Sequence, residues 1–289
     1  MGAAYLMIVA ICLLGGADMI FKKKYMSDNR HVKNSLNIYM LLAHPVAMLY
    51  FFMMAGGSVP LNVPTFWFSF AFAWTCMGSL VFTMKAYNRV NLVYVVVFSS
   101  SGAVILPFIF DLMCGEPFSV WRYCSILLRL GAVGLPLLFN RGKLKGFLIC
   151  IMVFLADGVA GVIPKLYGGW DGVAGDASFC FWTNVIIMPI VLCLIFAKSK
   201  PEEIVEAVKH IRPVGYIYIL ILVVTTNLAS LLSIDVMRST GATMYSILHS
   251  SFMMVITALI SKLIYKEELK KEVALSLVLS IGAIILGVM

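Results

Sequence analysis

The sequence predicts an all-α polytopic membrane protein, with ten transmembrane helices arranged as two inverted five-helix repeats. Three observations predict it. Of 289 residues, 62% are hydrophobic and only 12% charged, with a mean hydropathy of +0.98, whereas soluble domains carry about 25% charged residues. The charges gather in short breaks between apolar runs, each near the roughly 20 residues that cross a hydrocarbon core of about 30 Å. Finally, one stretch occurs twice. A shift of 151 carries Tyr94 to Tyr245, Ser99 and Ser100 to Ser250 and Ser251, Glu116 to Glu267 and Gly131 to Gly282. At the same shift Thr75-Cys76-Met77-Gly78-Ser79 falls on Thr226-Asn227-Leu228-Ala229-Ser230.

The apolar runs place spans at 2–21, 36–55, 65–84, 90–113, 119–139, 145–166, 178–197, 214–233, 240–263 and 272–289. Residues 2–21 are a span rather than a signal peptide, because Lys22, Lys23 and Lys24 follow the run and no small-residue cleavage site appears. The fifth span carries Arg122 and Arg129. Break seven, 198–213, opens with Pro201-Glu202-Glu203 and continues with mixed charge, which reads as a surface helix and a solvated connector. Earlier spans repeat at smaller offsets: Pro45 falls on Pro189 at 144 and Lys23 on Lys165 at 142. The step from 144 to 151 matches the difference between the nine-residue break at 56–64 and the sixteen-residue break at 198–213. The halves are therefore 1–140 and 141–289. Five spans per half force the second half to enter the membrane the other way up, an arrangement of secondary transporters.

Lys and Arg set the orientation. Eighteen lie at the odd-numbered breaks and only Arg238 at an even one. The odd breaks are expected in the cytoplasm and both termini outside, in a plasma (inner) membrane. The net charge of +8 belongs to those flanks, which argues against nucleic acid as a partner. Seven cysteines without a C-x-x-C spacing, most of them inside spans, read as small buried residues rather than metal ligands or disulfides.

Spans one and six are interrupted at matching positions, by Gly15-Gly16-Ala17-Asp18 and by Ala156-Asp157-Gly158 with Gly161 and Pro164. Paired interruptions point to a transporter site; close helix packing explains the same glycines equally well. Asp157 lies mid-span, where a carboxylate costs at least about 2.5 kcal/mol unless paired or protonated. It is expected to be a proton or substrate-amine site, or to pair with Arg129, itself deep in span five. Asp18 stands four residues before Lys22, the spacing of a simple helical ion pair. Lys165 reads as a snorkelling anchor. His44, before Pro45, is placed to meet a freed backbone carbonyl. No pair of helix histidines, phosphate loop or G-x-S-x-G is present, so no catalytic residue, metal or cofactor is expected.

Gly115-Glu116-Pro117-Phe118-Ser119 followed by Gly131-Ala132-Val133-Gly134, and Glu267-Glu268-Leu269 followed by Gly282-Ala283-Ile284, resemble the signature that closes each repeat of the drug/metabolite transporter superfamily in its ten-span, EamA-type form. Lys266 stands where the second copy would carry glycine. Members of that family often keep both termini in the cytoplasm, the reverse of the charge count here. The resemblance implies that spans three, four, eight and nine enclose a central cavity. In this chain they carry Trp74, Thr75, Tyr94, Ser99, Ser100, Asn227, Tyr245, His249 and Ser250. Tyr245, His249 and Phe252 share one helical face, as do Tyr94, Phe98 and Ser101. Aromatic area mixed with hydroxyl and imidazole suits a small organic solute, although any single Ser or Thr is as well explained by helix packing.

The expected function is secondary-active or facilitative transport of a small metabolite (an amino acid, sugar, nucleoside or amphiphilic drug) by alternating access between the two repeats. The alternative is a membrane-embedded lipid-handling protein or enzyme. The expected partners are a small-molecule substrate and the lipid bilayer. The spacing Ala283-x-x-x-Gly287 suits helix packing within one chain or in a homodimer.

Overall fold

In a computed structural model, the described residues are 2–288 apart from 33, 88, 91, 114, 116–118, 140–143, 198, 241 and 267–270. They form eleven helices: α1 (Gly2–Asp28), α2 (Ser35–Met54), α3 (Val63–Tyr87), α4 (Leu92–Met113), α5 (Val120–Phe139), α6 (Leu144–Gly168), α7 (Asp176–Phe196), α8 (Pro201–Lys209), α9 (Pro213–Thr240), α10 (Ala242–Leu263) and α11 (Lys271–Val288). Among the described residues no strand occurs. Seven segments there are long and apolar enough to cross a membrane, within α2, α3, α4, α6, α7, α9 and α10; shorter apolar stretches, Tyr123–Ala132 and Ala274–Ala283, lie in α5 and α11. The chain is thus an integral, multi-pass helical membrane protein.

After α2, α4 and α10 the backbone turns left-handed. Gly56 and Gly57 follow α2 with φ of 66° and 81°, and Gly115 follows α4 with φ of 81°. Lys266, at the position matching Gly115, takes φ of 51° without being glycine. Both copies therefore place a left-handed residue at this position, and the second does so with a residue whose Cβ crowds the backbone. The acidic residues after these turns, Glu116 and Glu267-Glu268, lie outside the described residues, as does Leu269. The short α8 has Pro201 at its start, Glu202 and Glu203 in its first turn and Lys209 in its last, with no buried residue. That order suits the helix dipole and a solvated surface.

Helices α1, α6 and α9 run past the expected span ends, α1 by seven residues to Asp28. Tertiary contacts hold that extension. Tyr25 is buried, lies 5.5 Å from the Tyr39 ring and donates to the Ser35 carbonyl at 3.0 Å. Asn29, one residue beyond α1, is fully buried; its amide donates to the Tyr25 carbonyl and its Oδ1 accepts from the Arg212 backbone N–H.

The chain divides into two compact units. One comprises Met1–Gly16, Gly78–Lys165 and Leu232–Met289; the other comprises Ala17–Met77 and Leu166–Leu231. Each contains segments from both halves of the sequence. In the second unit α2 packs along α7, and His44 Nδ1 meets Asn184 Oδ1 at 2.6 Å. The imidazole therefore meets a side chain, not the carbonyl that Pro45 frees. Asn62 caps α3 by accepting the Thr65 N–H at 2.9 Å, and Tyr167 stacks on Phe179 at 4.4 Å.

In the first unit α5 packs along α11 and α4 along α10. Ala86, Val95, Phe98, Phe147, Cys150 and Val153 form a buried cluster that joins α3, α4 and α6. Helices α4 and α6 meet backbone to backbone: a Cβ at Gly102 would run into the carbonyl of Phe154, and one at Gly158 into Leu106 and the Gly102 carbonyl. At Gly161 the neighbours would be Pro107 and Ala103. Gly15 and Gly16 lie likewise against Met253, Ile256 and Ile260 of α10. Close approach is what these glycines do here. Ala283 is buried and its carbonyl accepts the Ser125 hydroxyl, so this small residue packs within the chain.

Candidate functional site

Seven of the ten residues singled out from sequence, Tyr94, Ser99, Arg129, Asp157, Tyr245, His249 and Ser250, fall in the first unit; Asp18, Trp74 and Asn227 fall in the second.

In the first unit the face of α10 is built as its spacing predicts. The Tyr245 and His249 rings stack at 5.3 Å with 16° between planes. The Tyr245 hydroxyl shares a 2.6 Å hydrogen bond with Ser233 of α9, and the His249 carbonyl accepts the Cys12 thiol at 3.5 Å. One turn of α10 thus presents a fixed aromatic and imidazole pair, its tyrosine anchored from a neighbouring helix. The matching residue of the first half, Tyr94, is buried and packs edge-on against Phe147 at 5.8 Å. Ser99 is half-buried on the same helix.

The charged residues separate into distinct environments. Asp157 accepts a hydrogen bond from the Ser79 hydroxyl of α3 and is half-buried. It precedes Gly158, which seats α6 against α4. Its carboxylate therefore occupies a fixed place on a closely packed helix. Arg129 does not turn to Asp157: its Nη2 donates to Ser250 Oγ at 2.8 Å, at 1% exposure. Lys165 forms an ion pair with Asp111. In the sequence the lysine reads as an anchor at a span end, and Asp111 is marked only as a carboxylate inside an otherwise apolar run.

In the second unit Asp18 forms the expected ion pair with Lys22 at 2.6 Å and also accepts from the Thr226 hydroxyl at 2.8 Å. Trp74 is 54% exposed, on a face of α3 where its ring meets Phe70, which in turn meets Phe66 and Trp67. Asn227 is buried on α9. His44 and Asn184 form a further internal polar pair that sequence spacing could not join.

The sequence profile of the EamA-like transporter family matches residues 144–289, half of the chain. This chain belongs to the EamA-like transporter family. Membership in this branch of the drug/metabolite transporter superfamily agrees with the helical membrane architecture. No curated protein matches the chain. A crystal structure of another protein is similar over 99% of this chain and 96% of that one, with a TM-score of 0.62 at 13% identity. At that identity the likeness is one of fold.

Proposed function

We propose that this EamA-like protein is a secondary-active or facilitative carrier of a small organic metabolite, alternating access between two inverted five-span repeats. The observation that carries the reading is the family match on a helical chain with seven long, apolar helices among its described residues. Further support comes from the pairing of equivalent helices. Helix α2 packs on α7, α4 on α10 and α5 on α11, the contacts a pseudo-twofold relation between halves would make. The matching left-handed residues Gly115 and Lys266 support the same relation. The reading takes ten spans, with the odd-numbered breaks cytoplasmic.

In this reading the Tyr245–His249 face contributes aromatic area and imidazole to the substrate, with Tyr94 and Ser99 of the same unit as further contacts. Asp157 is the coupling group: a mid-span carboxylate can exchange a proton or hold a substrate amine. Ser79 would orient whichever form is present.

The test is thermal unfolding of the purified protein against a panel of amino acids, sugars, nucleosides and amphiphilic cations at fixed concentration. A ligand that binds only the folded state raises the unfolding temperature by mass action. A shift confined to one chemical class, followed by uptake of a labelled member into proteoliposomes, is the expected result. Uptake equal to that of empty vesicles for every class refutes carrier activity on common metabolites.

A further inference from the structure

The best-defined unsatisfied charge in the first unit is Arg129, within the bundle of α4, α5, α10 and α11. Its guanidinium is 1% exposed. One arm is satisfied by Ser250, whose own proton goes to the Ile247 carbonyl at 3.0 Å. The other arm, Nη1, has no hydrogen-bond partner among the described residues. Neither have the buried hydroxyls of Ser101, Ser276 and Ser280.

Helix register brings several of these groups to one level. Along α5 and α11, Ser125 bonds the Ala283 carbonyl, Leu128 faces Gly282 and Gly131 faces Leu279. Numbers rise on one helix as they fall on the other, so Arg129 stands level with Ser280. Helices α4 and α5 are consecutive, as are α10 and α11, so α4 runs antiparallel to α10. Val104 packs on Ile247, which sets Ser101 level with Ser250. Ser276 follows one turn along α11, on the face of Ser280.

The four helices contain just two acidic residues, Asp111 and Glu272. Asp111 is paired with Lys165. Glu272 lies eight residues before Ser280, about 12 Å along the helix. His249, beside Ser250, adds no negative charge. An ionised guanidinium buried inside a membrane protein without a counter-charge is strongly disfavoured, and the free groups at its level include N–H and O–H donors. We propose that this bundle binds a compact monovalent anion of the halide class, held by Arg129 Nη1 with Ser280 and Ser101 as hydroxyl donors. A spherical ion suits rotatable hydroxyls.

The site goes beyond the carrier reading, and its test does not use a transport substrate. The purified full chain is unfolded thermally at constant ionic strength while gluconate is exchanged for chloride or bromide. A saturable rise in unfolding temperature is expected with either halide. Arg129→Met should lose the response, and Ser280→Ala should weaken the halide midpoint about tenfold, as for one lost hydrogen bond to a charge. Crystals grown in bromide should show anomalous density beside Nη1. Equal stability in gluconate and chloride overturns the proposal, as does an unchanged halide midpoint in both Ser280→Ala and Ser101→Ala. The serine variants keep the test decisive if Arg129→Met does not fold. A halide response with no metabolite response would count against the carrier reading and leave the anion site standing.

Discussion

Replacing Gly102 with alanine adds one methyl group where α4 and α6 cross. At an ordinary helix position the change is stabilising by about 0.5–1 kcal/mol, since alanine is the better helix former. Here the new Cβ would overlap the Phe154 carbonyl, with the Phe154 carbonyl carbon and Cα at 2.8 and 2.9 Å. These are backbone atoms and cannot rotate away, so relief requires the two helices to part. A gap of about 0.5–1 Å already forfeits a quarter to a half of each dispersion contact across it. Overpacking of this kind costs typically 1–3 kcal/mol, and backbone on both sides places Gly102→Ala near the top, about 3 kcal/mol. Gly131, a glycine of the duplicated family signature, is the control: the nearest atom to its Cβ would be Leu279 Cδ1 at 3.9 Å, ordinary contact. Gly131→Ala should be neutral or slightly stabilising. At about 2–4 °C per kcal/mol for a chain of this size class, Gly102→Ala should lower the unfolding temperature by about 6–12 °C. Gly131→Ala should leave it unchanged or raise it by about 1–4 °C on the same scale. Thermal unfolding in detergent, followed by tryptophan fluorescence, reads both. Equal shifts for the two variants, or a Gly102→Ala protein as stable as the parent, would refute the close approach.

Asp157→Asn should leave the protein folded and abolish the pH dependence of substrate uptake into proteoliposomes; an unaltered pH profile removes Asp157 from coupling. His249→Ala should weaken apparent substrate affinity by about tenfold or more, on the scale of a lost buried polar contact, and an unchanged uptake half-saturation moves the substrate away from α10. Lys266→Gly relieves a left-handed lysine worth about 1–2 kcal/mol of crowding against a smaller backbone-entropy cost. A rise of about 2 °C in unfolding temperature is expected, and a fall would show that the turn is not strained.

The helices were legible because apolar runs bounded by Lys, Gly and Pro leave little choice in a bilayer. The observed α2 at Ser35–Met54 lies one residue from the expected 36–55. The surface helix α8 was legible from Pro201-Glu202-Glu203. The overruns of α1, α6 and α9 were not: past the apolar run a helix continues wherever tertiary contacts hold it, as Tyr39 and Ser35 hold Tyr25. The same divide governs the charges. Asp18 and Lys22 are four residues apart and their ion pair follows from helix geometry. Asp111 and Lys165 are 54 residues apart, and Arg129 and Ser250 are 121 apart, so no local rule joins them. Glycines follow suit. Gly158 drew attention beside Asp157, whereas Gly102, on which the same crossing depends, is one small residue in an apolar helix and carries no local mark.

The pairing of α2 with α7, α4 with α10 and α5 with α11 has a consequence for biosynthesis. Helices α2, α4 and α5 each reach the membrane well before their second-half partner has been made, since equivalent positions lie 144 to 151 residues apart. At synthesis rates of about 5–20 residues per second that interval is about 7–30 s. Throughout it Arg129, the α11-facing side of α5 and the α7-facing side of α2 stand against lipid, translocon or chaperone instead of their final neighbours. Chain truncation near residue 140 should therefore yield a species that inserts but remains a target for quality-control proteases.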